Sequence, residues 1–121
     1  MKTILVIDDE EIVREAVQDI LDTIGVQVLE AANGRTGIEV YRQNHDRIDA
    51  ILLDMKMPGL SGAETLRQLR EVDAAVPVIL SSGYAEEETR RNIDDHKATT
   101  FLPKPYNFET LIEKVQQALG E

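Results

Sequence analysis

The sequence predicts one α/β domain built on a parallel sheet, with elements in the order (βα)₅, and three observations carry that reading. Short apolar runs of strand type alternate with helical patterns through all 121 residues. Ile4-Leu5-Val6-Ile7 and Ile51-Leu52-Leu53 are continuous and branched, as in strands buried on both faces of a parallel sheet. Chemistry-bearing residues close the runs, with Asp8 and Asp9 after the first, Asp54 after the second, and Ser82 and Lys104 after two later ones.

Each element has its own signal. Ile12, Val13, Ala16, Val17, Ile20, Leu21 and Ile24 form a 3.6-period stripe closed by Gly25, which predicts the first helix. Val26 to Ala31 alternates more, as an edge strand does, and Asn33-Gly34 turns into a second helix running to about His45. Met55-Lys56-Met57-Pro58-Gly59-Leu60 reads as a loop, and Ser61-Gly62-Ala63-Glu64 as a capping box opening the third helix. Val76-Pro77-Val78-Ile79-Leu80 is the fourth strand, with Pro77 tolerated near its start. Glu86-Glu87-Glu88 and Arg90-Arg91 leave only Ala85, Thr89 and Ile93 as a narrow apolar stripe, so the helix expected there is weakly anchored. Thr99 to Leu102 is the fifth strand, and Asn107 caps a last helix presenting Phe108, Leu111, Ile112, Val115 and Leu119 on one face. Right-handed crossovers then favour a doubly wound sheet with helices on both faces.

Composition narrows the function. With 13 Lys plus Arg against 23 Asp plus Glu, a formal net charge of −10 argues against nucleic-acid binding, which needs a basic footprint. The absence of cysteine removes disulfide frameworks and thiolate metal sites, and an intracellular, cytoplasmic setting is the expectation. No apolar stretch approaches the roughly 20 residues of a membrane helix, so membrane insertion is not expected, and Met1-Lys2-Thr3 leads directly into a strand. One domain over residues 1–121 accounts for the whole alternation, with no repeat, linker or output module expected within it.

The acids cannot extend buried runs unpaired, so they belong at the carboxyl ends of strands, where ligands bind in open α/β sheets. A carboxylate there can carry a phosphoryl group if a metal neutralises the charge on it and on the phosphate oxygens. Asp9, Asp54, one backbone carbonyl and waters suffice for Mg²⁺, with Mn²⁺ as a substitute. Lys104 supplies a point charge suited to phosphate, and Ser82 a hydroxyl donor. Taken singly, Asp8, Asp9 and Asp54 read equally well as helix-start or turn acids, and Lys104 as a solvated lysine. Their joint placement at successive strand tips points to a site. His45 and His96 have no ligand-like spacing and read as surface residues, and Met55 and Met57 as loop and packing residues.

Over nearly its full length the chain resembles the receiver domain of two-component response regulators, including the chemotaxis-regulator type. The likeness rests on Val6-Ile7-Asp8-Asp9-Glu10, Leu52-Leu53-Asp54-Met55-Lys56-Met57-Pro58-Gly59, Leu80-Ser81-Ser82-Gly83 and Phe101-Leu102-Pro103-Lys104-Pro105. It implies a flavodoxin-like sheet of order 2-1-3-4-5 and phosphotransfer to Asp54 from a histidine kinase or a histidine phosphotransfer protein. It further implies a direct metal contact from Asp9, one through water from Asp8, and the metal's carbonyl ligand from Lys56. Pro105 resembles the family's cis proline, and Phe101 stands at the family's switch aromatic. Ser82 and Phe101 would then move inward on phosphorylation and alter the face formed by the predicted fourth helix, the fifth strand and the last helix, where an unnamed downstream protein would bind.

Two other classes fit less well. A flavodoxin-like cofactor carrier needs a phosphate-cradling loop after the first strand, and Asp8-Asp9-Glu10-Glu11 would repel phosphate. An aspartyl-phosphate phosphohydrolase needs its two acids two residues apart after the first strand and a substrate cap, whereas here they are adjacent. A non-turnover signalling module that assists its own phosphorylation is the expectation. Ser82-Gly83-Tyr84 and Lys104-Pro105-Tyr106 are similar to segments of hybrid-kinase receivers, while the Met1 start suits a free-standing regulator.

Overall fold

Residues 1–83, 89, 91 and 98–121 are described in the structure, a computed structural model. Five parallel strands form one sheet of order β2-β1-β3-β4-β5, comprising β1 (Thr3–Ile7), β2 (Gln27–Ala31), β3 (Ala50–Asp54), β4 (Val78–Ser82) and β5 (Thr99–Pro103). The described helices are α1 (Glu11–Asp22), α2 (Gly34–Asn44), α3 (Gly62–Val72) and the last helix, α4 (Phe108–Ala118). The charged helix expected between β4 and β5 falls outside the described residues apart from Thr89 and Arg91, and Tyr84 and His96 fall outside them too.

Every residue of β1, β3 and β4 is buried, which is why these runs are apolar without alternation. The pleat divides them between two cores. Leu5, Ile7, Leu53 and Leu80 pack with Ile38 and Tyr41 of α2 and Leu66 and Leu69 of α3. Ile4, Val6, Leu52 and Ile79 pack with Val17 and Leu21 of α1 and Leu111 and Val115 of α4. Truncating one of these fully buried leucines to alanine costs about 2–5 kcal/mol. β2 lies at an edge, as its alternation predicted.

The helix starts follow local chemistry. Asn33 accepts from the Thr36 amide (2.8 Å) and Asn107 from the Thr110 amide (2.8 Å). Only half of the expected capping box forms. Ser61 Oγ accepts from the Glu64 amide (3.2 Å), but the Glu64 carboxylate is engaged by Arg67 and Gln68 along the helix. Gly25 ends the first helical region with φ +74°, the left-handed conformation that its position required. The fourth strand starts at Val78 rather than Val76, because Pro77 has no amide proton to give the ladder and offers only its carbonyl, to Ile51 (2.9 Å).

Two large members of the expected helical stripes are not in the core. Ile12 is 78% exposed and Phe108 58% exposed. Both lie in the first turn of their helices. They rim an apolar groove of about 550 Å³ between α1 and α4.

Candidate functional site: an acid cluster at the strand ends

The site is assembled by the sheet's register. Ile7 pairs with Leu53 and Asp54 with Ser81, so the carboxyl ends of β1, β3 and β4 lie side by side. The ladder continues into the loops that carry the functional groups. The Asp8 amide donates to the Ala31 carbonyl (3.1 Å), the Met55 amide to Ser81 (2.9 Å) and the Lys104 amide to Ser82 (2.8 Å). Ladder hydrogen bonding therefore extends one residue past β1, β3 and β5.

Asp8 and Asp54 are each 4% exposed, while Asp9 is exposed. Carboxylate oxygens of all three lie within 4.8 Å of one another. Asp8 and Asp54 have the same local geometry. Each turns a carboxylate oxygen back onto the amide two residues later, Asp8 Oδ1 accepting from Glu10 (2.9 Å) and Asp54 Oδ1 from Lys56 (3.2 Å). Lys104 Nζ stands 3.3 Å from Asp54 Oδ1 and 3.8 Å from Asp8 Oδ2. The peptide Lys104-Pro105 is cis.

The electrostatics follow from this geometry. Burial pushes both the Asp8 and the Asp54 carboxyl above the usual range. The i+2 amides and Lys104 oppose that shift in both cases, Asp9 and Glu10 add to it at Asp8, and Asp8 adds to it at Asp54. One lysine thus shares two buried acids, and the remaining deficit of positive charge makes the cluster fit a cation. The donors are all hard oxygens, which suits Mg²⁺. Beside the acids opens a cleft of about 510 Å³, lined by Asp9, Asp54, Lys56, Gly83 and Lys104 among others.

Ser82 is buried at the last position of β4, within the same group of strand ends. Phe101 is buried in the core with Leu80 and Leu53. The phenyl ring stands inside the core in this structure. Met57 packs in the same core, and His45 is exposed beside Asp46, as expected.

Two residues beside the site escape a reading of the sequence. Arg14 Nη1 donates to the Asp8 carbonyl (2.7 Å), although an arginine on a charged helix looks solvated. Tyr106 is half-buried near the acids, and burial together with the Asp8 and Asp54 charges pushes its phenol up to about 12. Only its place two residues after Lys104 hints at this.

Comparison with known proteins now bears on the geometry. The family described as response regulator receiver domain matches residues 4–116. The chain belongs to that family. This receiver domain is 33% identical over 117 residues to sensor kinase CckA of Brucella abortus, an alignment covering 97% of this chain but 12% of that protein. It is 29% identical to sporulation initiation phosphotransferase F of Bacillus subtilis, covering 96% of this chain and 92% of that one. Among solved structures, chemotaxis protein CheY4 of Vibrio cholerae superposes with a TM-score of 0.89 at 29% identity, covering 98% and 99% of the two chains. The receiver domain is thus a module of two-component signalling, a class that binds Mg²⁺ at an acidic site and partners with histidine kinases or phosphotransfer proteins. No described helix is long and apolar enough to cross a membrane.

Proposed function

We propose that this receiver domain accepts a phosphoryl group on Asp54 from a phosphohistidine donor, with Mg²⁺ held by Asp8, Asp9, Asp54 and the Lys56 carbonyl. The observation that carries the reading is the meeting of three carboxylates within 4.8 Å with an ammonium 3.3 Å from Asp54, all at strand ends. The metal would supply charge neutralisation for the carboxylate and the phosphoryl oxygens.

The chain's own groups do the rest. An Asp54 oxygen forms the new O–P bond while the P–N bond of phosphohistidine breaks, its electron pair returning to the imidazole, which takes up a proton. The hydrogen bond that the Lys56 amide donates to Asp54 Oδ1 holds one carboxylate oxygen and leaves the other to attack. Lys104 meets the developing charge on the transferred group. Ser82 then donates its hydroxyl to a phosphoryl oxygen, and this pull at the end of β4 repacks Phe101 across the neighbouring strand pair Leu80–Phe101. The altered face around β5 and α4 is read by a downstream protein. The domain is no turnover enzyme, although it assists its own phosphorylation and dephosphorylation, and we assign residues 1–121 to one domain acting in the cytoplasm.

A place as the receiver of a hybrid kinase is a second reading, favoured by the 33% identity to sensor kinase CckA, of which this chain spans 12%. Incubation with acetyl phosphate and Mg²⁺ should add one phosphate to the protein, and Asp54→Ala should abolish it. Undiminished labelling of that variant would overturn the assignment.

A further inference from the structure

Asp9 is the exposed member of the acid cluster, and its side chain makes no hydrogen bond among the described residues. Its direction is therefore set by its backbone, and first of all by the plane of the Asp8–Asp9 peptide. That peptide is gripped on one side. Arg14 Nη1 donates to the Asp8 carbonyl at 2.7 Å, and Arg14 Nε pairs with Glu30 Oε1 at 3.2 Å. Arg14 lies one turn into α1, its amide bonded to the Glu10 carbonyl, and side chains on a helix lean toward its amino terminus, here toward the acid loop. Its side chain is 14% exposed, so the guanidinium is largely packed rather than waving in solvent. Glu30 belongs to β2 and precedes Ala31, whose carbonyl holds the Asp8 amide at 3.1 Å. Asp8 is thus fixed at three points, by Ala31 at its amide, by Glu10 at its carboxylate and by Arg14 at its carbonyl.

We propose that Arg14 is a positioning residue for the metal site: tethered by Glu30, it fixes the Asp8–Asp9 peptide plane and so aims the Asp9 carboxylate at the cation. The inference rests on the metal reading given under Proposed function. A planar fork is needed for this, because the two partners lie in different directions and a lysine has one compact head to offer. Groups that orient ligands from behind typically alter metal affinity by about 10–100-fold when removed.

The test is a Mg²⁺ titration followed by amide chemical shifts, run well below each variant's melting temperature on the parent, Arg14→Met, Arg14→Lys, Glu30→Ala, Asp9→Asn and the double variant Arg14→Met with Asp9→Asn. Arg14→Met should bind Mg²⁺ about tenfold more weakly than the parent, with Arg14→Lys and Glu30→Ala between them. In the Asp9→Asn background, Arg14→Met should change the residual affinity by less than about twofold, since its route of action is already gone. A merely structural role would lower the melting temperature and leave this coupling at zero. Parent-like affinity in Arg14→Met beside a clear loss in Asp9→Asn would overturn the inference alone, as would an equal loss from Arg14→Met in both backgrounds. Should Arg14→Met fail to fold, parent-like affinity in both Arg14→Lys and Glu30→Ala would overturn it equally. A parent that binds no Mg²⁺ would overturn the metal reading and this inference together.

Discussion

Lys104 Nζ lies between two buried acids, 3.3 Å from Asp54 Oδ1 and 3.8 Å from Asp8 Oδ2, nearer the proposed acceptor than the acid beside it. A cation that already sits on the acceptor meets the phosphoryl group without having to be recruited. Lys104→Ala should therefore impair the response to phosphorylation far more than Mg²⁺ affinity, whereas Asp9→Ala should remove metal binding and phosphorylation together. Calorimetric Mg²⁺ titration and amide spectra with and without acetyl phosphate separate the two. Equal loss of Mg²⁺ affinity in both variants would contradict these roles.

The acid pair predicts a pH dependence with a definite sign. Burial, the largest cause, raises both the Asp8 and Asp54 carboxyls, so the folded protein holds protons more tightly there than the unfolded chain. Such groups favour folding below the ordinary carboxylate range and lose that contribution as pH rises through the raised folded value. Above the raised folded values the charged carboxylates are costly in the metal-free protein. Asp54→Asn should accordingly raise the metal-free melting temperature at neutral pH, with the gain shrinking as pH falls toward about 4. Thermal scans in EDTA across that range check it. A gain that grows on acidification would reverse the sign and sink the argument.

Gly62 couples helix packing to the acceptor. A Cβ there would collide with Met55 Cα and lie 2.9 Å from the Asp54 carbonyl oxygen, and backbone atoms cannot swing aside. Gly62→Ala should cost about 1–3 kcal/mol, measurable by urea denaturation, and should weaken Mg²⁺ binding because the displaced backbone carries Asp54. Unchanged stability would mean that α3 can shift freely over β3.

The lifetime of the phosphorylated state should be long. Hydrolysis needs water in line behind the phosphorus, and Lys56, which lines the acid cleft, cannot orient one as a short amide or acid would. Tyr84, two residues after Ser82 in the sequence, has the same deficiency, although it lies outside the described residues. Lys56→Asn with Tyr84→Glu should release phosphate about tenfold faster, which needs only about 1.4 kcal/mol of barrier. Release at or below the parent rate would show that these positions do not control the water.

Much of this was legible in the sequence because parallel strands buried on both faces leave few ways to place an acid. Asp8, Asp54, Ser82 and Lys104 are found at the predicted strand tips, and the caps Asn33, Ser61 and Asn107 are local chemistry. The misses have tertiary causes. Ile12 and Phe108 fit their helical stripes, but a stripe's period does not say which of its turns packs against the sheet. Phe101 could be placed on the fifth strand, whereas its packing with Leu53 and Leu80 is set by the tertiary fold. Arg14 is invisible because its partners, a main-chain carbonyl and Glu30, have no signature along the chain. Ala85 and Ile93 lie outside the described residues, so of the narrow stripe read there only Thr89, which is buried, can be placed.

The register that aligns Ile7 with Leu53 and Asp54 with Ser81 also constrains how such a chain can diverge. Side chains alternate between faces along a strand, so inserting one residue in β3 ahead of Asp54 would either swing the carboxylate under the sheet or push it out of reach of Lys104. The connections at the opposite edge, such as 45–49 and 73–77, carry none of the proposed site residues, so their exposed positions can lengthen or shorten without moving the acids. Length variation should thus collect at the amino-terminal ends of the strands, leaving the spacing from strand to acid unaltered even where most other residues have been replaced.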